Sequence, residues 1–418
     1  MSRHNLVDML TFDRAEFEKT ISLSVKKKVK IESKWEVVNL GDVSLKVTDG
    51  SHNPPAGISQ NEGFLMLSSK NINEGKIDTH GARYLSKQDF IQEDKRTRIT
   101  EGDLLLTIVG AIGRVAIVQK KLSSFTLQRS VAVIKCNSSR ILPKYLEALL
   151  NGRDTQKTLE QTAHGIAQKG IYLNEVKQIQ IPLPPLSIQE KIIAEINILD
   201  SELIDKKNKL KLLNDNINKL IEKTTGEYIR LNEITQKIGS GSTPSGGESA
   251  YIKEGITLIR SQNIYDNMFI EQGLVFIDEA QAKKLNNVIV QENDILFNIT
   301  GASVCRCCIV DTKYLPARVN QHVSIIRVND KVLPKYLQKI LISEKIKTEL
   351  FSMAESSSTR EAITKSQLEN FKIPLPSLKI QQDIISQVAN IESQIASLEK
   401  ELEAIPKQKE EVLKKYLY

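Results

Sequence analysis

At 418 residues the chain is long for one domain and suits two or three. Its hydrophobic share of 40% supports real cores and excludes a disordered chain. A formal charge of +7 and a pI near 8.9 fit a polyanionic partner without requiring one.

The first twenty residues carry Asp8, Asp13, Glu16 and Glu18, with no apolar core of signal-peptide length. The longest apolar stretch, Leu104 to Ile112, is broken by Thr107 and Gly110 and falls far short of the ~20 residues that span a bilayer. A soluble, cytoplasmic protein with no membrane partner is expected. Cys305 and Cys308 have C-x-x-C spacing, but no second pair or nearby His completes a metal site. They, with Cys136 and Cys307, are expected as reduced thiols on strands.

The chain repeats itself. Ser69-Lys70-Asn71-Ile72 is answered by Ser261-Gln262-Asn263-Ile264, and Glu101-Gly102-Asp103-Leu104-Leu105 by Glu292-Asn293-Asp294-Ile295-Leu296. Leu142-Pro143-Lys144-Tyr145-Leu146 recurs at Leu333–Leu337, Ile181-Pro182-Leu183-Pro184 at Ile373–Pro376, and Ile188-Gln189 at Ile380-Gln381. Every pair is 191 or 192 residues apart, in one order, which marks a tandem duplication.

In chain order, residues 1–34 match no part of the repeat; Lys26-Lys27-Lys28 and Lys30 make them a solvated arm or an extra helix. Residues 35–185 are mixed and β-rich, with short apolar runs at Leu104–Val109 and Val131–Ile134. Pro143 then opens a short helix, where a first-turn Pro is favourable. Residues 186–226 form a long helix. Its Ile192, Ile196, Leu199, Leu203, Lys206, Leu210, Leu213, Ile217 and Leu220 alternate by four and three, an a/d seam. Residues 227–377 repeat the β-rich part, with runs at Ile295–Ile299 and His322–Ile326 and a helix opened by Pro334. Residues 378–418 repeat the helix, with Ile384, Val388, Ile391, Ile395, Leu398, Leu402, Ile405, Lys409, Val412 and Tyr416 in the seam. Alone, either helix would expose its stripe, so the two are expected to pack on each other. A Lys in each seam, at different levels, sets the register. Pro406 should kink or terminate the second helix.

These features together resemble the specificity subunit of Type I restriction–modification enzymes. Asp49-Gly50-Ser51-His52-Asn53-Pro54-Pro55 is similar to that family's D-G-[ST]-H-x-x-P turn, and Gly239-Ser240-Gly241-Ser242-Thr243-Pro244-Ser245 to its G-G-T-P-S form. The I-P-L-P-x-L-x-x-Q segment stands before each helix, at Ile181–Gln189 and Ile373–Gln381. The resemblance covers nearly everything after residue 34. It implies an α/β (α+β) fold: two β-rich target-recognition domains separated by two long antiparallel coiled-coil helices, with pseudo-twofold symmetry. It implies double-stranded DNA as ligand, two methyltransferase subunits docked on the helices, and restriction subunits joined through the complex.

Catalytic signatures are missing from the sequence. Gly75-Lys76 lacks the upstream Gly and the hydroxyl of a phosphate-binding loop. Asn53-Pro54-Pro55 is followed by Ala56 rather than an aromatic residue, and no Gly-rich cofactor loop precedes it. The chain is therefore expected to be no enzyme and to need no cofactor or metal.

Direct readout of DNA needs forked side chains, Arg for guanine and Asn or Gln for adenine. Matching positions beside predicted strands supply Ser69, Lys70, Asn71, Arg114, Gln128 and Arg129 in the first repeat. The second supplies Arg260, Gln262, Asn263, Arg306, Gln321 and His322, with Arg129 set against His322. Gly165–Gly170 and Ser356–Arg360 also match; there Lys169 and Arg360 are placed to meet phosphate. Two other classes stand beside this reading. One is a coiled-coil scaffold that binds proteins without reading DNA. The other is a DNA-mimicking inhibitor of similar fold, which should be acidic, contrary to +7.

Overall fold

The structure, a computed structural model, describes residues 10–12, 19–21, 32–59, 63–120, 122, 124–165, 169–355 and 361–418. Within the N-terminal extension, Leu10–Phe12 pairs antiparallel with Lys19–Ile21, so the described part is a strand pair rather than a helix. The lysines at 26–28 and 30 lie outside the described residues. The chain divides into two compact units, Met1–Asp205 with Leu402–Tyr418, and Lys206–Glu401.

Among the described residues, the main sheets of the first unit are built from β1 (Ser44–Asp49), β2 (Phe64–Leu67), β3 (Arg83–Leu85), β4 (Leu104–Thr107), β5 (Val115–Ile117), β6 (Phe125–Leu127) and β7 (Val131–Cys136). One sheet has the antiparallel order β5-β4-β7-β1. The other has the order β6-β2-β3, with β6 parallel to β2. The second unit supplies β8 (Thr235–Ser240), β9 (Ile256–Ile259), β10 (Val275–Ile277), β11 (Ile295–Asn298), β12 (Cys307–Ile309), β13 (Ala317–Val319) and β14 (Val323–Val328). Their orders, β12-β11-β14-β8 and β13-β9-β10 with β13 parallel to β9, reproduce the first unit strand for strand. The duplication seen in the sequence is thus a duplication of topology.

Every residue of β4 is buried, because alternate side chains enter different cores. Leu104 and Leu106 pack with Ile134, Tyr145, Leu146 and Ile192 on the helical side. Leu105 packs with Leu65, Leu67, Leu127 and Val133 under the small sheet. In the second unit Ile295 and Phe297 face Tyr336 and Ile384, while Leu296 faces Leu258, Val319 and Ile325. Each such buried side chain contributes about 1.5–3 kcal/mol, more than the ~0–1 kcal/mol of an exposed ion pair, so these cores dominate stability.

Pro143 and Pro334 open the helices Pro143–Asn151 and Pro334–Ile342, as their positions predict. The repeated motifs meet there. Tyr145 donates its hydroxyl to the Pro182 carbonyl at 2.9 Å, and Tyr336 donates to Pro374 at 2.8 Å. Gln189 is fully buried. Its amide oxygen accepts the Leu142 N–H at 2.9 Å, and its nitrogen donates to Arg140 and Pro184 at 2.8 and 2.9 Å. Gln381 repeats this with Leu333, Lys331 and Pro376 at 2.8, 3.1 and 2.9 Å. One carboxamide thus joins the start of a short helix to the start of a long one.

The long helices are α1 (Leu186–Glu222) and α2 (Leu378–Leu417). All the expected seam positions, Ile192 to Leu220 and Ile384 to Tyr416, are buried or half-buried, while the flanking positions are mostly exposed. Within the first unit the helices run antiparallel: Glu195 accepts from Lys415 and Tyr416, both at 2.6 Å, and Asp200 pairs with Lys409. Within the second, Lys206 pairs with Glu401 at 2.6 Å, and Ile217, Leu220 and Ile221 share a core with Ile384 and Val388. Both seam lysines therefore meet a carboxylate on the other helix. Hydrogen bonds from Lys415 and Tyr416 hold the Glu195 carboxyl below its ordinary range, and Lys206 does the same to Glu401.

Pro406 does not terminate α2, which continues for eleven residues to Leu417. A Pro removes one ladder hydrogen bond, and the helix beyond it is held by tertiary contacts: Ile405 and Leu417 are buried. Its end is also capped from the start of the domain. Lys34 N–H and the Ser33 hydroxyl donate to the Leu417 carbonyl at 2.9 and 2.8 Å, and the Trp35 indole donates to Tyr416 at 2.7 Å. Those carbonyls have no partner inside the helix.

Gln189→Leu strands the Leu142 N–H and two carbonyls in a buried place. It should cost about 1–3 kcal/mol, and Gln381→Leu a similar amount. Urea unfolding of each variant measures this. Losses below about 0.5 kcal/mol would show that the carboxamides do not hold the two parts together.

Candidate nucleic-acid interface

Strand direction gathers the candidate residues. The register Val131↔Thr107 and Ala132↔Asp49 places the ends of β1 and β4 beside the start of β7. The parallel pairing of β6 with β2 ends at Leu127↔Leu67, and a short turn joins β6 to β7. The loops 50–52, 68–71, 108–114 and 128–130 therefore emerge at one end of both sheets. They are stitched together: Ser69 N–H to Ser130 Oγ at 3.0 Å, Gln128 N–H to Leu67 O at 2.8 Å, Arg129 N–H to Ser51 O at 2.8 Å. Gly110 N–H donates to Lys169 O at 3.1 Å, which brings Lys169 to the same end. These segments carry Lys70, Arg114, Arg129 and Lys169 and no acidic residue. All four cations are exposed.

The second unit builds the same end. Asn298 N–H donates to Arg306 O, and its side chain to Ser261 O, both at 2.9 Å. Ile299 N–H donates to His322 O at 3.0 Å, as Ile108 N–H donates to Ser130 O at 2.9 Å. Arg260, Gln262, Arg306, Gln321 and His322 all stand here, Gln262 exposed and the others half-buried. The Arg306 guanidinium carbon lies 4.4 Å from the Tyr265 ring centre, and that of Arg260 lies 5.3 Å from Tyr251.

The motif turns are built by close approach. A Cβ on Gly50 would sit 2.0 Å from the Leu127 carbonyl oxygen, and one on Gly241 would sit 1.7 Å from that of Val319. Only glycine lets these turns lie against the ends of β6 and β13. Asp49 is buried and accepts from Arg96, through both its backbone and its carboxylate, and from His52 at 2.8 Å. The Asp-Gly-Ser-His turn is therefore an anchor for the loop end.

Two expectations need correction. Asn71 and Asn263 are buried and their amides are occupied inside the loop. Asn71 accepts from Ser68 N–H and donates to Asp78 and His80; Asn263 accepts from Arg260 N–H and donates to Ile270 and Gln272. They shape the loop and have no amide edge left for a base. The alignment of Arg129 with His322 is also out by one. Leu127 and Val319 end equivalent strands and Val131 and Val323 begin equivalent strands, so Gln128, Arg129 and Ser130 correspond to Asn320, Gln321 and His322. Gln321 and His322 stand at the loop end with their side chains linked, Gln321 Nε2 to His322 Nε2 at 2.9 Å and His322 Nδ1 to Thr300 Oγ1 at 2.6 Å. Arg360, and with it residues 356–360 and 166–168 of the matched loops, lies outside the described residues.

Sequence reasoning missed Tyr265, Tyr251 and Arg96. The repeat held a signal for the first: Tyr265 stands two residues after Asn263, where the first repeat has Asn73. The four cysteines are free thiols on or beside strands. Burial pushes Cys136, Cys305 and Cys308 up to about 12 and Cys307 well above its ordinary value, which favours the neutral thiol in all four. Among the described residues no group of His, Cys, Asp or Glu could hold a metal ion, and no helix is long and apolar enough to cross a membrane.

The chain is a duplicated β-rich module with a basic loop end on each copy, each copy followed in sequence by a long helix. The family model described as the Type I restriction modification DNA specificity domain matches twice, over residues 32–212 and 224–407. The chain belongs to that family, the non-catalytic DNA-recognition subunits of Type I restriction–modification systems. A putative type I restriction enzyme MjaX specificity subunit from Methanocaldococcus jannaschii is 24% identical over 390 residues, 86% of this chain and 87% of that protein. The Type I restriction enzyme EcoBI specificity subunit of Escherichia coli is 32% identical over 138 residues, 33% of this chain and 29% of that protein, so the match spans under a third of that relative. A chain solved in work on complex assembly and conformational transition of the type I R-M system has the same fold, with a TM-score of 0.60 at 20% identity over 93% of this chain and 99% of that one.

Gly241→Ala should disorder the loop end of the second unit and destabilise it by at least about 2 kcal/mol, because the clash is with backbone. Hydrogen exchange should show lost protection at residues 240–243 and 319–323 first. An unchanged exchange pattern would remove the close approach as the reason for glycine.

Proposed function

We propose that this chain binds a bipartite, gapped DNA target, each unit reading one half-site with its loop end. The observation that carries this is the pair of topologically identical loop ends, both basic, with different side chains at equivalent positions: Lys70 against Gln262, Arg129 against Gln321, Ser130 against His322. The same scaffold with different readers calls for two unlike half-sites. Exposed Lys70, Arg129 and Lys169 suit phosphate, and the forks of Arg114, Arg306, Gln128 and Gln262 suit base edges.

Residues 35–185 and 227–377 are then the recognition domains, and 186–226 and 378–418 the segments that hold their spacing. For both domains to face one side of the duplex, the half-site centres lie about one helical turn apart or somewhat more. Methyltransferase subunits, two by the symmetry of the repeat, dock on the helical segments, and restriction subunits join through them. This work is cytoplasmic, where the DNA is, and the chain supplies no cofactor chemistry of its own.

Exchange of residues 35–180 for the equivalent domain of a relative tests this. Each unit encloses its own sheets and core, so one half-site should change and the other should stay. If both halves changed together, the two-reader assignment would fall.

A further inference from the structure

The two units hold equivalent arginines in different ways. Arg114 in the first unit donates from its guanidinium to the Ile72 carbonyl at 3.3 Å. Arg306 in the second has no acceptor for its guanidinium among the described residues; the group lies over the Tyr265 ring at 4.4 Å. A cation–π contact holds the guanidinium against the ring without using up any of its N–H donors.

The ring is itself held in place. Tyr265 belongs to a two-residue hairpin, Ile264–Tyr265 paired with Met268–Phe269, turned by Asn267 at φ +60°. The Asn267 carboxamide accepts from Gln338 at 2.7 Å and Lys339 at 2.6 Å, and its N–H donates to the Cys307 carbonyl at 3.2 Å. Asp266 accepts the Cys307 N–H at 3.3 Å and pairs with Lys347. The Arg306 backbone is fixed as well, its carbonyl bonded to Asn298 and its N–H to Ser303 at 3.2 Å. Both partners of the cation–π contact therefore stand on tied backbone, and a donor fork with no acceptor among the described residues is presented at the loop end.

We infer that Tyr265 is a positioning residue that presents Arg306 as a flat fork for guanine, so that the half-site read by the second unit contains a guanine whose recognition depends on this ring. The inference rests on the loop end being the DNA-reading face. Guanine is the base whose major-groove edge offers two adjacent acceptors, O6 and N7, to such a fork. Asn73, the counterpart of Tyr265, gives Arg114 no such platform.

The test uses the full chain with its methyltransferase subunit and a random-sequence duplex library. Wild type should enrich a G·C pair at a fixed place in the second half-site, and Arg306→Ala should lose the preference there alone. Tyr265→Asn, which installs the side chain used by the first unit, should weaken it about threefold to tenfold at the same pair. Tyr265→Phe should keep it, and Tyr265→Asn combined with Arg306→Ala should be no worse than Arg306→Ala. Guanine lacking N7 at that pair should weaken binding by wild type and by Tyr265→Phe, and leave Arg306→Ala unaffected. If Arg306→Ala relaxes the pair and Tyr265→Asn does not, or if the two losses add in full, Tyr265 does not act through Arg306. If Arg306→Ala changes no position, the loop end of this unit is not the reading face and both statements fall.

Discussion

A strand such as Leu104–Thr107 or Ile295–Asn298 has no solvent face, and its sheet must be covered on both sides. One side is closed by the three-stranded sheet and the other by the helical layer, which includes Ile192 and Ile196 of α1 in the first unit and Ile384 and Val388 of α2 in the second. With faces covered, the places left for variable polar side chains are the ends of the strands. The connections at one end collect Lys70, Arg114 and Arg129 in the first unit and Gln262, Arg306 and Gln321 in the second. Polar side chains can differ there without touching the cores, which explains how one scaffold carries two different loop ends.

The long helices take part in the cores. The first unit is completed by residues 402–418, with Leu417 buried and its carbonyl capped by Ser33 and Lys34. Gln189 and Gln381 tie the first turn of each helix to the β-rich part through three hydrogen bonds apiece. A long helix fastened this way transmits position from its domain along its length, which a flexible linker does not. Exposed ion pairs such as Lys206–Glu401 add little energy. Their contribution is to favour one register of the seam.

Much of this was legible in the sequence, for local reasons. The heptads of α1 and α2, the first-turn prolines 143 and 334, and the repeat itself are patterns of adjacent residues, and each appeared where expected. What was not legible depends on distant contacts. Asn71 looks like an adenine reader beside a strand until the carbonyls of Asp78 and His80 close around it. Aligning Gln128 with Gln321 sets Arg129 opposite His322; strand ends, which only pairing reveals, put Arg129 opposite Gln321. Pro406 reads as a kink or a stop; the stop is overturned because the packing of Ile405 and Leu417, which carries the helix on, is invisible in a linear reading. Tyr265 was missed because nothing in its own neighbourhood points to Arg306, forty-one residues on.

That the two units read separate half-sites held at a fixed spacing is tested most directly by mapping every methylated base in the genome of a host that carries this chain with its methyltransferase. The expected map shows one motif made of two short, dissimilar sequences, separated by a run of fixed length in which any base is accepted. A single continuous motif without a gap, or half-sites found at variable spacing, would contradict it.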